Sequence, residues 1–315
     1  MTKKLTFPLT GFFIISLFLY FSYLVTYLKP PEGFSKETEV SVSEFVDLLP
    51  TPAPYPVFQN LTSFPRLTAE SIYMIDIDSM VTLYEKNAEE LLLPASVTKI
   101  MTALVALENY PLGQILTFDG TKIEGNGLGL KKGEQMSVEN LLYGTLIGSG
   151  NDAAYVLASN FPSGLAGFTE RMNRRAEELN LLNTHFVNPM GLDQEGQYST
   201  AKDLAMLSIA ALKNPSFARI VAIPSLIITD VTKKLVYNLK NTNELISEDN
   251  GFKGIKTGWT ENAGECLVAL YDKDSHRIIT VVLHSQDRKG ETKQITSWLS
   301  DNFVWEKITP QISYR

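Results

Sequence analysis

Three short polar strings carry the side chains that acyl transfer to a serine would require. They are Ser96-Val97-Thr98-Lys99, Ser149-Gly150-Asn151 and Lys256-Thr257-Gly258, in that order along the chain. The first offers a hydroxyl nucleophile and an amine that could remove its proton, the second a further hydroxyl and an amide, and the third an amine that could bind an anion. Each string alone is short enough to occur by chance. The prediction of a serine acyl-transfer site therefore depends on their order and on the elements around them.

The first string is predicted to begin a helix. From Ser96 to about Asn109, apolar residues recur at helical spacing without Gly or Pro, and Pro94 stops the preceding segment. A helix N-terminus favours developing negative charge, because its first N–H groups lack partners and the positive end of the dipole lies there. Lys99 would lie on the same helix face as Ser96, within reach of its hydroxyl. The alternative is that Ser96 is an ordinary N-cap.

Lys99 could act as a base only if its pKa is lowered. An ordinary lysine has a pKa near ~10.4 and is mostly charged at neutral pH. Partial burial and a second cation would both lower the pKa of Lys99, and we expect Lys256 to be that cation. The three histidines, His185, His276 and His284, are expected to be structural or solvated and not catalytic.

The second string follows a predicted helix with an apolar face. Glycines on both sides of Ser149 predict a turn that holds Ser149 and Asn151 toward a cleft, before Asp152 begins the next helix. Ser149 could relay a proton toward a leaving amine, and the Asn151 amide could bind a substrate carbonyl and steady Lys99. The alternative is a routine link between helices. A similar string, Ser300-Asp301-Asn302, comes after the third string, so we interpret it as the end of a helix.

The third string lies on a predicted strand that a Gly-containing turn connects to two further apolar strands. Lys256 and Gly258 would share one side of this strand and Thr257 the other, and the missing side chain of Gly258 would let a ligand backbone approach. Lys256 would attract a carboxylate. The backbone N–H of Trp259 could pair with that of Ser96 to form an oxyanion hole. The alternative is a solvated strand end.

The order of predicted elements indicates an α+β fold. Strand-like runs come first, helices fill the middle, and strands return near Lys256. We assign residues 67–306 to one domain, since ~240 residues can bury a substantial core. Residues 29–66 are rich in Pro, Ser, Thr and acidic residues and are predicted to form an extended linker. Residues 307–315 are assigned to a tail.

The N-terminal segment is predicted to cross a membrane. The stretch Leu5–Leu28 contains no charged residue and is long enough to cross a ~30 Å hydrocarbon core as a helix. Two lysines precede it and acidic residues follow it, which places the N-terminus in the cytoplasm and the rest of the chain outside. We therefore expect residues 1–28 to be a single-pass anchor. A secretory signal peptide is the alternative, although no A-x-A-like site precedes Lys29.

Composition argues against several other classes of protein. A net charge of −7 and a pI near 5.2 argue against nucleic-acid binding, for which a basic face would be needed. The sequence has no cluster of His, Cys and carboxylates at zinc spacing, so we expect no metal and no cofactor. The single cysteine, Cys266, cannot form an intrachain disulfide and is expected to be a buried, inert thiol.

The three strings and the segments around them resemble a known family. From about Leu67 to Phe303 the chain is similar to low-molecular-mass penicillin-binding proteins, the serine-type D-alanyl-D-alanine carboxypeptidases. The similarity includes the segments FTERMNRRAEELNLLNTHFVNPMGLD, YSTAKDLAML, NTNELI and GIKTGWTENAGECLVAL. It implies a β-lactamase/transpeptidase-like fold, with an antiparallel sheet flanked by helices and an inserted all-helical subdomain that carries Ser149.

The resemblance also implies a reaction and a set of partners. A peptidoglycan stem peptide ending in D-Ala-D-Ala would acylate the serine and release its last D-alanine, and water would then hydrolyse the acyl-enzyme. β-Lactam antibiotics would be covalent inhibitors. The resemblance implies that Ser96 is the nucleophile and Lys99 the general base. It further implies that Ser149 and Asn151 relay a proton and orient the reacting groups, and that Lys256 and Thr257 recognise the substrate carboxylate. The expected location is a bacterial cell membrane, with the catalytic domain outside the cytoplasm.

The chain departs from the family pattern at a few positions. Met190 stands where many members have a histidine, and we expect this to affect loop packing and not chemistry. Trp259 occupies a variable position and could shape substrate preference. Arg288 is a candidate for the arginine that often follows the last core strand, although Asp287-Arg288-Lys289-Gly290 also fits a solvated turn. After Asn302 we expect neither of the C-terminal elements that many members carry, a β-rich domain and an amphipathic membrane helix.

Other functions of the same scaffold remain as alternatives. These are a D,D-endopeptidase that cuts cross-links, a β-lactamase, and a catalytically silent protein that binds the cell wall or senses drugs. A class A β-lactamase needs a deacylating glutamate on the loop between the second and third strings, and no such loop stands out. Intact Ser96 and Lys99 argue against a silent protein.

We expect the full-length protein to stay in the membrane fraction of its cells after a high-salt wash, because insertion of Leu5–Leu28 does not depend on charge. N-terminal sequencing of the same material is the control. A chain that still begins at Met1 supports the anchor. Secreted material that begins near Lys29 would show instead that this segment is a signal peptide.

Overall fold

The computed structural model describes residues 22–23, 54–248, 251–273 and 276–307. The chain separates into two units, Met1–Thr51 and Pro52–Arg315. Apart from Ser22 and Tyr23, the described residues belong to the second unit.

The strands in chain order are β1 (Tyr55–Phe58), β2 (Ser71–Asp76), β3 (Thr82–Lys86), β4 (Ile115–Thr117), β5 (Gln135–Ser137), β6 (Ser225–Thr229), β7 (Val236–Lys240), β8 (Phe252–Thr260), β9 (Gly264–Lys273), β10 (His276–Ser285) and β11 (Phe303–Glu306). The helices are α1 (Lys99–Asn109), α2 (Val138–Leu146), α3 (Asn151–Ser159), α4 (Gly164–Glu178), α5 (Ala201–Leu212), α6 (Pro215–Val221), α7 (Leu245–Glu248) and α8 (Arg288–Asn302). A 3-10 turn, Ala95–Thr98, precedes α1.

The main sheet has five antiparallel strands in the order β3-β2-β10-β9-β8. On β2, Ile72 and Met74 face α8, whereas Tyr73 and Ile75 join the larger core that contains α1 and α5. Because helices cover both faces, every residue of β2 is buried. The α+β class, the antiparallel sheet and the two strands predicted after the third string are confirmed.

The segment between α1 and β8 differs from the all-helical insertion that we expected. It contains α2 to α7, but also two small antiparallel sheets, β4-β5 and β6-β7. Helix α1, which precedes this segment, is buried from Lys99 to Ala106 and packs against α2, α3 and α4. Helix α5 packs against α1 and against β2, β9 and β10, and so connects the helical part to the sheet.

The folded domain begins before residue 67, which is the boundary that we predicted for it. Tyr55–Phe58 pairs with β11, although the prolines around it had suggested a linker. Thr62 then reaches α8: its backbone N–H donates to Asn302 Oδ1 at 2.8 Å, and its carbonyl accepts from Trp298 Nε1 at 3.0 Å. Asn302 is fully buried, so the string Ser300-Asp301-Asn302 ends α8 and has a structural role.

No helix of the described ranges is long and apolar enough to cross a membrane. The predicted anchor, residues 1–28, lies outside those ranges except for Ser22 and Tyr23. The linker up to residue 53 and the tail from residue 308 also lie outside them. All three assignments stay predictions.

Candidate active site

Ser96 and Lys99 meet at the start of α1. Ser96 lies within the 3-10 turn and Lys99 is the first residue of the α-helix, so the α-helix begins three residues later than predicted. Lys99 Nζ lies 2.7 Å from Ser96 Oγ, 2.7 Å from Asn151 Oδ1 and 2.6 Å from the carbonyl oxygen of Met190. The side-chain amide oxygen and the carbonyl can only accept hydrogen bonds. A neutral Lys99 therefore directs its lone pair at the Ser96 hydroxyl, the one partner of the three that can donate.

Burial sets the protonation of this amine. Lys99 has no exposed surface, and its burial lowers its pKa from 10.5 to about 7, while the carboxylate of Asp152 acts in the opposite direction. We expected Lys256 to be the second cause of the lowering. Burial also lowers the pKa of Lys256 well below 10.5, and the charges of Lys99 and Arg288 lower it further.

A second serine and lysine pair faces the first. Ser149 lies in the turn between α2 and α3, with its backbone in the left-handed region at φ 57°. Lys256 Nζ donates to Ser149 Oγ at 2.9 Å and to the carbonyl of Thr257 at 2.9 Å. Only 1 % of Lys256 is exposed. Two hydroxyls are therefore held by two buried amines of lowered pKa.

Asn151 joins the two halves of the site. It begins α3, one residue earlier than predicted, and its Oδ1 accepts the hydrogen bond from Lys99. Its Nδ2 donates to the carbonyl of Glu124 at 2.7 Å. The structure thus shows the predicted contact with Lys99. The amide also anchors a surface loop, which the sequence had not indicated.

Gly258 has a different neighbour from the one that we predicted. We expected its missing side chain to admit a ligand backbone. A Cβ at Gly258 would instead lie 3.0 Å from the backbone nitrogen of Ser96 and 2.9 Å from Ala95 Cβ. The glycine therefore lets β8 pack directly on the turn that carries Ser96. Ala95 itself is in the left-handed region at φ 47°, a costly conformation for a residue with a side chain.

The loop 188–192 supplies the carbonyl that contacts Lys99. Asn188 Oδ1 accepts from the backbone N–H groups of the three residues from Met190 to Leu192, which fixes the Met190 carbonyl. A Cβ at Gly191 would lie 1.9 Å from the carbonyl oxygen of Ala95, so only glycine fits there. Residue 190 thus reaches the site through its backbone.

A sequence profile of peptidase family S11, the D-alanyl-D-alanine carboxypeptidases, matches residues 59–287. The chain belongs to this family. It is 37 % identical over 249 residues to D-alanyl-D-alanine carboxypeptidase DacF of Bacillus subtilis, covering 77 % of this chain and 64 % of DacF. It is 34 % identical over 262 residues to DacD of Escherichia coli, covering 78 % of this chain and 66 % of DacD. The chain thus spans just under two thirds of the length of these relatives.

Solved structures agree with this assignment. The DD-transpeptidase of Streptomyces K15 superposes with a TM-score of 0.72 at 31 % identity, over 76 % of this chain and all of that one. A putative penicillin-binding protein homologue from Mycobacterium tuberculosis gives a TM-score of 0.72 at 29 % identity, over 82 % of this chain and 98 % of that one. The resemblance predicted from the three strings is confirmed.

Arg288 lies beside the third string of this family member. It begins α8, and its Nη1 donates to the carbonyl of Gly258 at 2.7 Å. Together with Thr257, Thr242 and Glu265 it lines a cavity of about 280 Å³. The Thr257 hydroxyl donates to Thr242 Oγ1 at 2.7 Å. The sequence had left Arg288 open between this position and a solvated turn.

The remaining candidates lie at the edge of the site or away from it. Trp259 follows Gly258 on the edge strand β8 and is 63 % exposed. His276 stacks on Trp305, His284 pairs with Glu70 and His185 contacts the carbonyl of Gly196. The described contacts of the three histidines agree with the structural role expected of them. Cys266 is buried, and burial raises the pKa of its thiol to about 11.

We expect the acylation of Ser96 by a labelled penicillin to rise with pH and to be half-maximal near pH 7, because only the neutral amine of Lys99 can accept the serine proton. Second-order labelling rates across a pH series, followed by intact mass, measure this. Lys99→Arg is the control, since it keeps the charge but cannot lose its proton near neutrality. It should be at least ~100-fold slower throughout. A midpoint near the ordinary lysine pKa would contradict the proposed base.

Proposed function

We propose that this protein is a serine-type D-alanyl-D-alanine carboxypeptidase that removes the terminal D-alanine from peptidoglycan stem peptides through an acyl-enzyme on Ser96. The observation that carries the proposal is the buried amine of Lys99, 2.7 Å from Ser96 Oγ, whose other two partners are pure acceptors. Membership of the S11 family and the names of the relatives support the substrate. They favour this activity over a β-lactamase or a silent sensor.

Acylation would begin when Ser96 Oγ attacks the carbonyl carbon of the penultimate D-alanine and gives its proton to neutral Lys99. The negative charge that develops on the carbonyl oxygen would be bound by the backbone N–H groups of Ser96 and Trp259. The close approach of Gly258 to the Ser96 turn supports this pairing, because it brings the backbone of β8 beside the Ser96 amide.

The tetrahedral intermediate would collapse when the peptide C–N bond breaks and the leaving amine gains a proton. Ser149 is proposed to deliver that proton, supported by its contact with the Lys256 amine at 2.9 Å. Asn151 would bind the acyl-side carbonyl while it keeps Lys99 oriented. The proton that Lys99 took from Ser96 would replace the one that Ser149 gives up, which leaves Lys99 neutral again. Lys99 would then remove a proton from the water molecule that attacks the ester and return it to Ser96 Oγ as the ester C–O bond breaks.

Recognition of the substrate carboxylate is proposed to fall on Thr257 and Arg288. Both line the cavity of about 280 Å³ beside β8. We first expected Lys256 to share this role with Thr257. Its buried amine is already held by Ser149 and the Thr257 carbonyl, which favours a part in proton transfer. The exposed Trp259 would contact the part of the stem peptide that precedes the reacting bond.

The same serine would react with β-lactam antibiotics, since acylation by a strained amide needs the same nucleophile and base. The N-terminal segment would hold the enzyme in the bacterial cell membrane with its site on the outer side, where peptidoglycan lies. The uncharged stretch Leu5–Leu28 and the charge bias around it support this location.

Ser96→Ala should abolish both covalent penicillin labelling and release of D-alanine from a D-Ala-D-Ala peptide, because only the nucleophilic oxygen is lost. Intact mass and a D-alanine assay measure the two outcomes on the full-length protein. Ser300→Ala, at an exposed serine on α8, is the matched control and should keep full labelling. Stoichiometric labelling of the Ser96→Ala variant at another serine would refute the assignment.

Arg288→Gln should weaken attack on peptides with a free C-terminal carboxylate far more than on the same peptides capped as amides. The expected difference in kcat/KM is about 10- to 100-fold, as for the loss of ~1.5–3 kcal/mol in a hydrogen bond to a charged group. Lys256→Gln is the matched comparison and should reduce both substrates alike, because its amine contacts Ser149. A carboxylate-selective loss in Lys256→Gln and none in Arg288→Gln would reverse the two roles.

A further inference from the structure

A glycine-containing loop covers the turn that carries the second string. In this loop, residues 124–130, the carbonyl of Asn126 accepts from the backbone N–H of Asn151 at 2.7 Å, and its side-chain amide donates to the carbonyl of Gly148 at 2.8 Å. The carbonyl of Glu124 accepts from Asn151 Nδ2. Three hydrogen bonds thus connect the loop to the turn that presents Ser149 and Asn151.

The carboxylate of Asp152 holds the other half of the same loop. Its Oδ1 accepts from the amides of Leu128 and Ala153, at 2.9 and 2.8 Å. Its Oδ2 accepts from the amides of Gly129 and Leu130, at 2.8 and 3.1 Å. The side chain is buried in the first turn of α3, where the helix dipole stabilises a negative charge. Three of these four amides belong to the loop, so the buried carboxylate is a strong and directional anchor for it.

Two glycines of the loop make this close packing possible. A Cβ at Gly125 would lie 2.7 Å from Asn151 Nδ2, and a Cβ at Gly127 would lie 3.0 Å from Asp152 Oδ2. Gly125 is also in the left-handed region at φ 79°. The loop therefore packs against the amide of Asn151 and the carboxylate of Asp152 at the same time.

We propose that Asp152 is a positioning residue, whose carboxylate fixes loop 124–130 on α3 and thereby holds Asn151 Oδ1 against Lys99 Nζ. The kinetic consequence rests on the proposed function, whereas the structural one does not. The described hydrogen bonds of Asp152 go to backbone amides and not to Ser96 or Lys99. It acts through Asn151, which is bound on one side by the loop and on the other by the amine that would act as the base.

The charge of Asp152 adds an effect that a neutral anchor would lack. Three charges act on the pair of buried amines: Asp152 from α3 acts on Lys99, and Lys99 itself and Arg288 from α8 act on Lys256. Asp152 is the negative one, and it raises the pKa of Lys99 against the effect of burial. Its removal would therefore lower the pKa of Lys99, so that the base loses its proton at a lower pH.

The test compares four variants of the full-length protein with the wild type. Asp152→Asn would turn an N–H toward two of the four amides and remove the charge. We expect penicillin acylation to slow by about 10- to 100-fold, the pH midpoint of acylation to move below that of the wild type, and the amides of residues 128–130 to exchange hydrogen faster. Asp152→Glu keeps the charge but displaces the oxygens, so it should slow acylation with a midpoint closer to that of the wild type.

Asp119→Asn is the matched control. Asp119 also accepts a backbone amide, that of Thr121, and contacts α3 through the hydroxyl of Tyr155, but it is exposed and its described hydrogen bonds do not involve Asn151 or loop 124–130. It should leave the rate, the pH midpoint and exchange at residues 128–130 unchanged. If Asp119→Asn changed these three quantities as much as Asp152→Asn does, any perturbation of this region would be enough to slow acylation, and the proposal would be overturned.

Asn126→Ala serves where Asp152→Asn does not fold. It removes one tether of the loop and keeps the charge, so exchange in the loop should rise and acylation should slow while the pH midpoint stays. A looser loop with wild-type acylation would overturn the positioning role. So would unchanged exchange in Asp152→Asn, whatever its activity. A wild-type protein that neither binds penicillin nor releases D-alanine would instead refute the proposed function, and the exchange measurement would still decide the structural part.

Discussion

The burial of one lysine amine is the constraint on which the rest of the site depends. Lys99 Nζ has no access to solvent, and a charge there is costly unless it is fully hydrogen-bonded. The structure meets this cost with three oxygens from three separate segments, which are the Ser96 turn, α3 and the loop 188–192. With its pKa lowered to about 7, the amine can exist in either form near neutrality. A base with this property can take a proton from serine and give it back in the same catalytic cycle.

Each segment that reaches Lys99 is itself held in an unfavourable or crowded backbone conformation. Ala95 and Ser149 have positive φ angles, at 47° and 57°, and Gly191 packs where no side chain would fit. Such conformations persist only where surrounding contacts determine them. Here the contacts come from β8 on one side of the Ser96 turn and from the Asn188 amide behind the Met190 carbonyl. The sheet and the helices thus act together to hold Ser96 Oγ, Asn151 Oδ1 and the Met190 carbonyl around Lys99 Nζ.

The sequence predicts what is local and misses what depends on distant packing. The contact between Ser96 and Lys99 follows from three residues of spacing near a helix start, so it could be predicted. The second and third strings could be assigned to a turn and a strand for similar reasons. The packing of Gly258 against Ala95 could not, because it joins segments more than 150 residues apart in the chain. The contact between the Met190 carbonyl and Lys99 could not be predicted either. Every residue has a backbone carbonyl, so residue type does not show which one will contact a side chain.

The order of strands in the main sheet has a consequence for how the chain folds as it is synthesised. The hairpin β2-β3 is made early, but its next neighbour in the sheet, β10, follows it by about 200 residues. Until β10 is available, one edge of β2 lacks its partner, and the core that α8 completes cannot close. Pairing of this kind gives a high contact order and slow folding. The domain therefore completes its main sheet only after β10 has been synthesised, and the Ser96 turn gains its contact with β8 late in synthesis.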